Sequence, residues 1–265
     1  MKSALFQNHK VSYTIDGQGD CLVLLHGFPM DSRVWTNSKQ RLAQFYKVIC
    51  IDLPGFGQSE MLGKTHSMQL MAEAVNTVLE HEKIDKCVLV GHSMGGYASL
   101  EFANRFPEKL KGLVLYHSQA IADDETAREN RNKAIQLVEI DKVVFINPFI
   151  DGLFDEYFAK SHPEKVDFIK NICVSQSEKG IIAALAGMRD RDEHLGVLAK
   201  IQIPVLFIMG KNDKRMPFRN IMEQAQIPQH AELLILDNVA HFGFIEKPSI
   251  TGMTIGMFTK KCFTV

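Results

Sequence analysis

Short apolar runs recur along this chain, at Cys21–Leu25, Lys47–Ile51, Cys87–Val90, Gly112–Tyr116, Val205–Met209 and Glu232–Leu236, each bounded by turn-forming residues. They are rich in leucine and β-branched residues and almost continuously apolar, the pattern of strands covered on both faces. Between most of them the spacing becomes helical. Across Ser67–His81 the residues Leu70, Met71, Ala74, Val75, Val78 and Leu79 form one stripe, and Gly95–Arg105 follows the same rule. Strand and helix in alternation predict an α/β fold with a mostly parallel sheet and helices on both faces. Ahead of these runs, Lys10–Thr14 alternates apolar and polar before Asp16-Gly17, so the opening segment is expected to add an antiparallel hairpin to the sheet. From about Asp123 to Leu198 helical stripes continue without a convincing strand. The expected organisation is therefore a core in two parts, residues 1–122 and 199–265, with a helical cap inserted at 123–198.

Composition narrows the function. A chain of 265 residues is long enough to bury one sizeable core. Lys plus Arg number 30 against 31 Asp plus Glu, with no long run of one sign, which argues against a nucleic-acid partner. The segment before Gly17 is interrupted by Gln7, Asn8, His9 and Lys10, so it reads as neither a signal peptide nor a membrane anchor. Five cysteines, an odd number and mostly within or beside apolar runs, read as reduced core residues of a cytoplasmic protein. The cysteines are scattered and the ten histidines lack paired ligand spacing, so no metal site is expected. The partner expected is a small-molecule substrate; the sequence does not fix an oligomeric state.

The chemistry starts at Gly91-His92-Ser93-Met94-Gly95-Gly96, directly after one apolar run and directly before a helical pattern. Strand, tight turn and helix in that order project a serine hydroxyl clear of the backbone, provided the residues two before and two after are small. The same turn places the Met94 N–H and a helix N-terminus beside any negative charge that develops there. A serine needs a base to take its proton, and His241 lies on a loop after a late strand; an imidazolium in turn needs a carboxylate, which Asp213 could supply.

These residues, with His26-Gly27-Phe28-Pro29 after the first long strand, resemble the α/β-hydrolase superfamily. Asp52-Leu53-Pro54-Gly55-Phe56-Gly57-Gln58-Ser59 is similar to the turn after the next strand in many members. Gly210-Lys211-Asn212-Asp213 is similar to the acid-bearing loop, and Val239-Ala240-His241-Phe242 to the histidine loop. The resemblance implies a mostly parallel eight-stranded sheet with a helical cap, and a catalytic triad of Ser93, Asp213 and His241 in the family's chain order. It also implies an oxyanion hole from the backbone N–H groups of Phe28 and Met94, and no cofactor. A serine rather than an aspartate at the elbow implies acyl chemistry on a small or medium ester, thioester or lactone. Hydrolysis of a carbon–carbon bond and perhydrolysis run on the same triad and stay open, as does a receptor or scaffold that keeps the fold.

Alternatives stand beside several of these residues. Asp123 and Asp124, shortly after the run ending at Tyr116, lie where some members carry the acid, and Asp237 also competes for that role. His26 and His92 flank the site in sequence but read as scaffold histidines, and Asp52 as a residue that bonds its own loop. In the cap, Phe145, Phe149, Phe154, Phe158 and Phe168 are sources of apolar lining; Phe145, Phe149 and Phe154, with Phe242 beside the histidine, are taken as pocket residues. Arg189-Asp190-Arg191-Asp192 reads as a surface charge network in preference to a recogniser of a substrate carboxylate.

Overall fold

The computed structural model describes residues 1–264 and contains one eight-stranded sheet. The strands are β1 (Lys2–Phe6), β2 (His9–Asp16), β3 (Cys21–Leu25), β4 (Lys47–Ile51), β5 (Cys87–His92), β6 (Leu110–Tyr116), β7 (Val205–Gly210) and β8 (Ala231–Leu236), in the spatial order β1-β2-β4-β3-β5-β6-β7-β8. From β4 to β8 every pairing is parallel, while β1 and β2 form an antiparallel hairpin joined antiparallel to β4. The hairpin turns at Gln7 and Asn8, both at positive φ, whereas Asp16-Gly17 leads out of β2 towards β3.

Strands β3, β5 and β7 are buried at every position, as near-continuous apolar runs require. The β8 run departs from that reading. It pairs only with β7, at the sheet's edge, and leaves Leu233 and Ile235 exposed, so its apolar residues are not covered on both faces. Core helices are α1 (Thr36–Leu42), α2 (Met68–His81) and α3 (Met94–Arg105). Helix α2 is capped by Ser67, whose side chain accepts from the Leu70 N–H.

Between β6 and β7 lie five helices and no strand: α4 (Glu125–Asp151), α5 (Glu156–Ser161), α6 (Pro163–Val174), α7 (Glu178–Arg189) and α8 (Leu195–Lys200). Helix α4 is interrupted at Asp141 (φ −160°, ψ 107°), whose carboxylate accepts from the Val143 N–H and so starts the second half. The layer is tied to the core by buried Gln176. Its Nε2 donates to Asp31 Oδ2 at 2.7 Å, and its Oε1 accepts from the Gly57 N–H at 2.8 Å. Helices α9 (Phe218–Gln224), α10 (Gly243–Glu246) and α11 (Pro248–Thr264) complete the chain. Strands β3 and β5 are neighbours although β4 separates them in sequence, so the chain changes direction there. That is where an open α/β sheet forms its ligand crevice.

Candidate active site

Ser93 leaves β5 at φ +51° and ψ −115°, and α3 begins at the next residue. A non-glycine residue held in such a region stores on the order of 1–3 kcal/mol. Both of its peptide groups are anchored: the Ser93 N–H donates to the Tyr116 carbonyl at 2.9 Å, and Ser118 Oγ donates to the Ser93 carbonyl at 2.8 Å. The helix crosses the strand so closely that a Cβ on Gly91 would lie 2.3 Å from the Gly95 carbonyl oxygen, and one on Gly95 would lie 2.7 Å from that of Leu25. Glycine at both places follows from contact distance alone.

Among the described residues neither the Met94 N–H, the first of α3, nor the Phe28 N–H, in the loop after β3, donates a hydrogen bond. A free amide at a helix start is an anion-binding group. Ser93, Phe28 and His241 line one cavity of about 420 Å³. A larger cavity, about 710 Å³ between α3 and α8, has a hydrogen-bonded Glu101–His194 pair in its wall and lies away from Ser93.

His241 Nδ1 donates to Asp213 Oδ2 at 2.7 Å, which leaves the Nε2 lone pair as the acceptor of that ring. Asp213, just beyond β7, is wholly enclosed by donors. His117 Nδ1 gives a second bond to the same Oδ2 at 3.0 Å, and Oδ1 accepts from the Arg215 and Met216 N–H groups at 2.8 and 3.0 Å. Burial alone would push this carboxyl up, but the charge of His241 and the bonds from both imidazoles outweigh it and hold Asp213 well below the usual carboxylate range. Burial pushes His117 down despite that bond, so it stays neutral, with Nε2 accepting from the Gly243 N–H. Together His117, Asp213 and His241 bring three potential metal ligands within 4.8 Å of one another; their geometry is that of a hydrogen-bonded chain converging on one oxygen.

The other carboxylates are engaged elsewhere. Asp123 is held by Arg131 and Arg191, Asp124 caps α4, and exposed Asp237 pairs with Lys211. His26 donates to the Gly27 carbonyl and accepts from the Leu53 N–H, while His92 Nε2 donates to the His241 carbonyl. Both are fully buried and pushed down by burial. Asp52 accepts from the Gln58 N–H in its own loop and from the Ser32 N–H in the loop after β3.

Phe145 and Phe149 line the Ser93 cavity; Phe154 and Phe242 do not. Those two rings pack on each other, centroids 4.6 Å apart, and Phe242 is wholly buried behind His241, so the hydrophobic core claims them. Phe168 is exposed. In the Arg189–Asp192 stretch, Arg189 and Asp190 form the surface ion pair their charges imply, but Arg191 does not belong to it. Arg191 is buried, donates to the Met188 and Ile121 carbonyls, pairs with Asp123, and stacks 4.1 Å above the Tyr97 ring.

Three residues that sequence reasoning passed over belong to the site. His117 reaches Asp213 across the sheet. Glu246 is buried and accepts from the Ala240 and Phe242 N–H groups, which fixes the loop on either side of His241. Arg215 lines the cavity with its guanidinium 4.8 Å above the Phe149 ring. The signals were thin: a histidine just past a strand end, a glutamate just past the histidine loop, and an arginine two residues past the acid.

Comparison with known proteins agrees with this architecture. The sequence model of the α/β hydrolase fold family matches residues 20–248. The chain is 30% identical over 243 residues to a pimeloyl-[acyl-carrier protein] methyl ester esterase of Aeromonas salmonicida, covering 88% of this chain and 92% of that one. It is 25% identical over 251 residues to an AB hydrolase superfamily protein of Bacillus subtilis, covering 92% of each. A thermophilic esterase from Thermogutta terrifontis, solved with malate bound, superposes with a TM-score of 0.93 at 28% identity, over 96% of this chain and 94% of that one. With its elbow, its sheet order and a match that spans most of its length, this chain belongs to the α/β hydrolase fold family.

Proposed function

We propose that the protein is a serine esterase working through an acyl-enzyme on Ser93. What carries the reading is the convergence on one cavity of a strained elbow serine, two unengaged backbone amides and a histidine whose tautomer is fixed by a buried carboxylate. Its relatives and neighbours that act on esters support the substrate class. In the proposed cycle Ser93 Oγ attacks the ester carbonyl while His241 Nε2 takes its proton. The oxyanion is received by the N–H groups of Phe28 and Met94, and the imidazolium passes the proton to the departing alcohol. Water, deprotonated by the same imidazole, then attacks the acyl-enzyme; the acid leaves and Ser93 recovers its proton. Asp213 stays ionised throughout, which its donor-rich surroundings favour. Residues 123–198 act as the cap that closes the cavity and sets the substrate. No helix among the described residues is long and apolar enough to cross a membrane, and five free, buried thiols support a cytoplasmic setting.

The test is intact-mass labelling with a fluorophosphonate, followed by turnover of p-nitrophenyl esters of graded chain length. The expected outcome is one label per chain, absent from Ser93→Ala, with esterase activity down by at least roughly 10³-fold in that variant and in His241→Ala. A folded protein that neither labels nor turns over would point to a binding protein on the same scaffold.

A further inference from the structure

The cavity beside Ser93 is not a plain apolar slot. Helix α4 presents Ala127, Asn130, Arg131 and Ala134 to it at helical spacing, and the loop after β7 presents Arg215. Asp123 is the one carboxylate among the lining residues, and it is already shared: Arg131 Nε donates to it at 3.0 Å, and buried Arg191 holds its other oxygen. Arg215 has no carboxylate partner among the described residues. The two guanidinium groups that line the cavity, Arg131 and Arg215, therefore face a single lining carboxylate, which buried Arg191 also holds. Burial against the wall and the charge of Arg131 both work against the charge on Arg215, a deficit that an incoming anion would relieve. The guanidinium lies on Phe149, whose ring meets Phe28 edge-on with centroids 5.8 Å apart, so the cation and the Phe28 amide stand at two ends of one aromatic wall.

Resting on the esterase reading above, we propose that Arg215, assisted by Arg131, forms an anion subsite, and that the enzyme's substrates are esters carrying a carboxylate or similar anionic group remote from the scissile bond. A guanidinium offers a carboxylate a planar two-pronged partner, which a neutral wall or a lysine does not. The anion could belong to the acyl part, as in a half-ester of a dicarboxylic acid, or to the alcohol part.

The experiment pairs substrates of equal length: monomethyl against dimethyl esters of straight-chain dicarboxylic acids of graded length for the acyl side, and acetate esters of hydroxy acids against those of the matching diols for the alcohol side. In one of the two series kcat/KM is expected to favour the anionic member by about tenfold or more. The ratio should fall towards one in Arg215→Gln and return only in part in Arg215→Lys, which restores the charge without the two-pronged geometry. A ratio near one in both series, or a preference that Arg215→Gln leaves intact, overturns the proposal. Calorimetric titration with succinate, glutarate and adipate gives a second reading independent of turnover. Binding that Arg215→Gln abolishes supports the subsite even if no ester is cleaved, in which case only the esterase reading fails; absence of binding together with absence of preference removes the subsite and leaves that reading standing.

Discussion

His117 and His241 give their Nδ1 protons to the same oxygen of Asp213, and only one of these rings lines the cavity. In the proposed triad His117 would act by position, holding the carboxylate oxygen that Asp213 presents to His241. A hydrogen bond to a charged, buried group is worth about 1.5–3 kcal/mol, or roughly 10- to 150-fold in rate. His117→Ala is expected to lower kcat within that range and leave KM nearly unchanged, and His117→Asn, which can keep an N–H donor there, to recover part of the loss. Steady-state kinetics on both variants would decide, and equal losses would reduce His117 to packing. At this scale the sequence was readable wherever chemistry leaves a local signature. Ser93 was flagged by its glycines and by the strand before it. His117 was not, because its partner lies 96 positions away and nothing beside it in sequence announces the contact. Phe154 and Phe242 were misplaced for a related reason: an aromatic near the site fits a pocket and a core equally well until the packing partner is known.

Elements were more legible than residues, since hydrophobic period depends only on neighbours a few positions apart. All six apolar runs became strands, and the helical insertion contained only helices. Missing from the pattern was the sheet's edge: β8 is as apolar as its neighbours, and only the strand order shows that one side of it lacks a partner. The polar attachment of the β6–β7 helical layer was equally hidden, and one glutamine holds a large part of it. Gln176 bonds Asp31 and the Gly57 N–H, and Lys142 donates to its carbonyl at 2.7 Å, so two core loops and α4 meet at a single side chain and its peptide. Gln176→Ala leaves the Gly57 N–H and one oxygen of buried Asp31 short of a partner. The expected cost is about 2–3 kcal/mol, a fall in Tm of roughly 4 to 8 °C, measurable by calorimetry. An unchanged Tm would mean that the other contacts of this helical layer hold it without Gln176.

For the molecule as a whole, burial of neutral histidines makes folding sensitive to acid. His26, His66, His92 and His117 are all pushed below their ordinary value of 6.5, His66 to about 4, and burial is the leading cause in each. Above pH 6.5 neither the folded nor the unfolded chain protonates them, and stability is complete. As pH falls below that value the unfolded chain takes up protons that the fold refuses, so each residue costs up to about 1.4 kcal/mol per pH unit until its folded value is reached. His194 runs the other way: burial is the largest single influence and pushes it down, but the bonds to Glu101 and the Asp192 carbonyl and the charges of both carboxylates together raise it, which adds stability in acid that is lost as pH rises. Four against one, the urea midpoint should drop steadily from pH 7 to pH 5, and a flat profile would show these sites to be wetter than their surroundings imply. Arg131 stands on α4 and Arg215 in the loop after β7, so the two guanidinium groups meet at the cavity from segments remote in sequence. Every ester cleaved yields a carboxylate inside that cavity, whatever charge the substrate carried in. If the proposed subsite holds the acyl part, the acid product keeps the remote anion that Arg215 and Arg131 bind, and the expected consequence is a built-in brake: turnover slows as product accumulates, through release and not through bond-breaking.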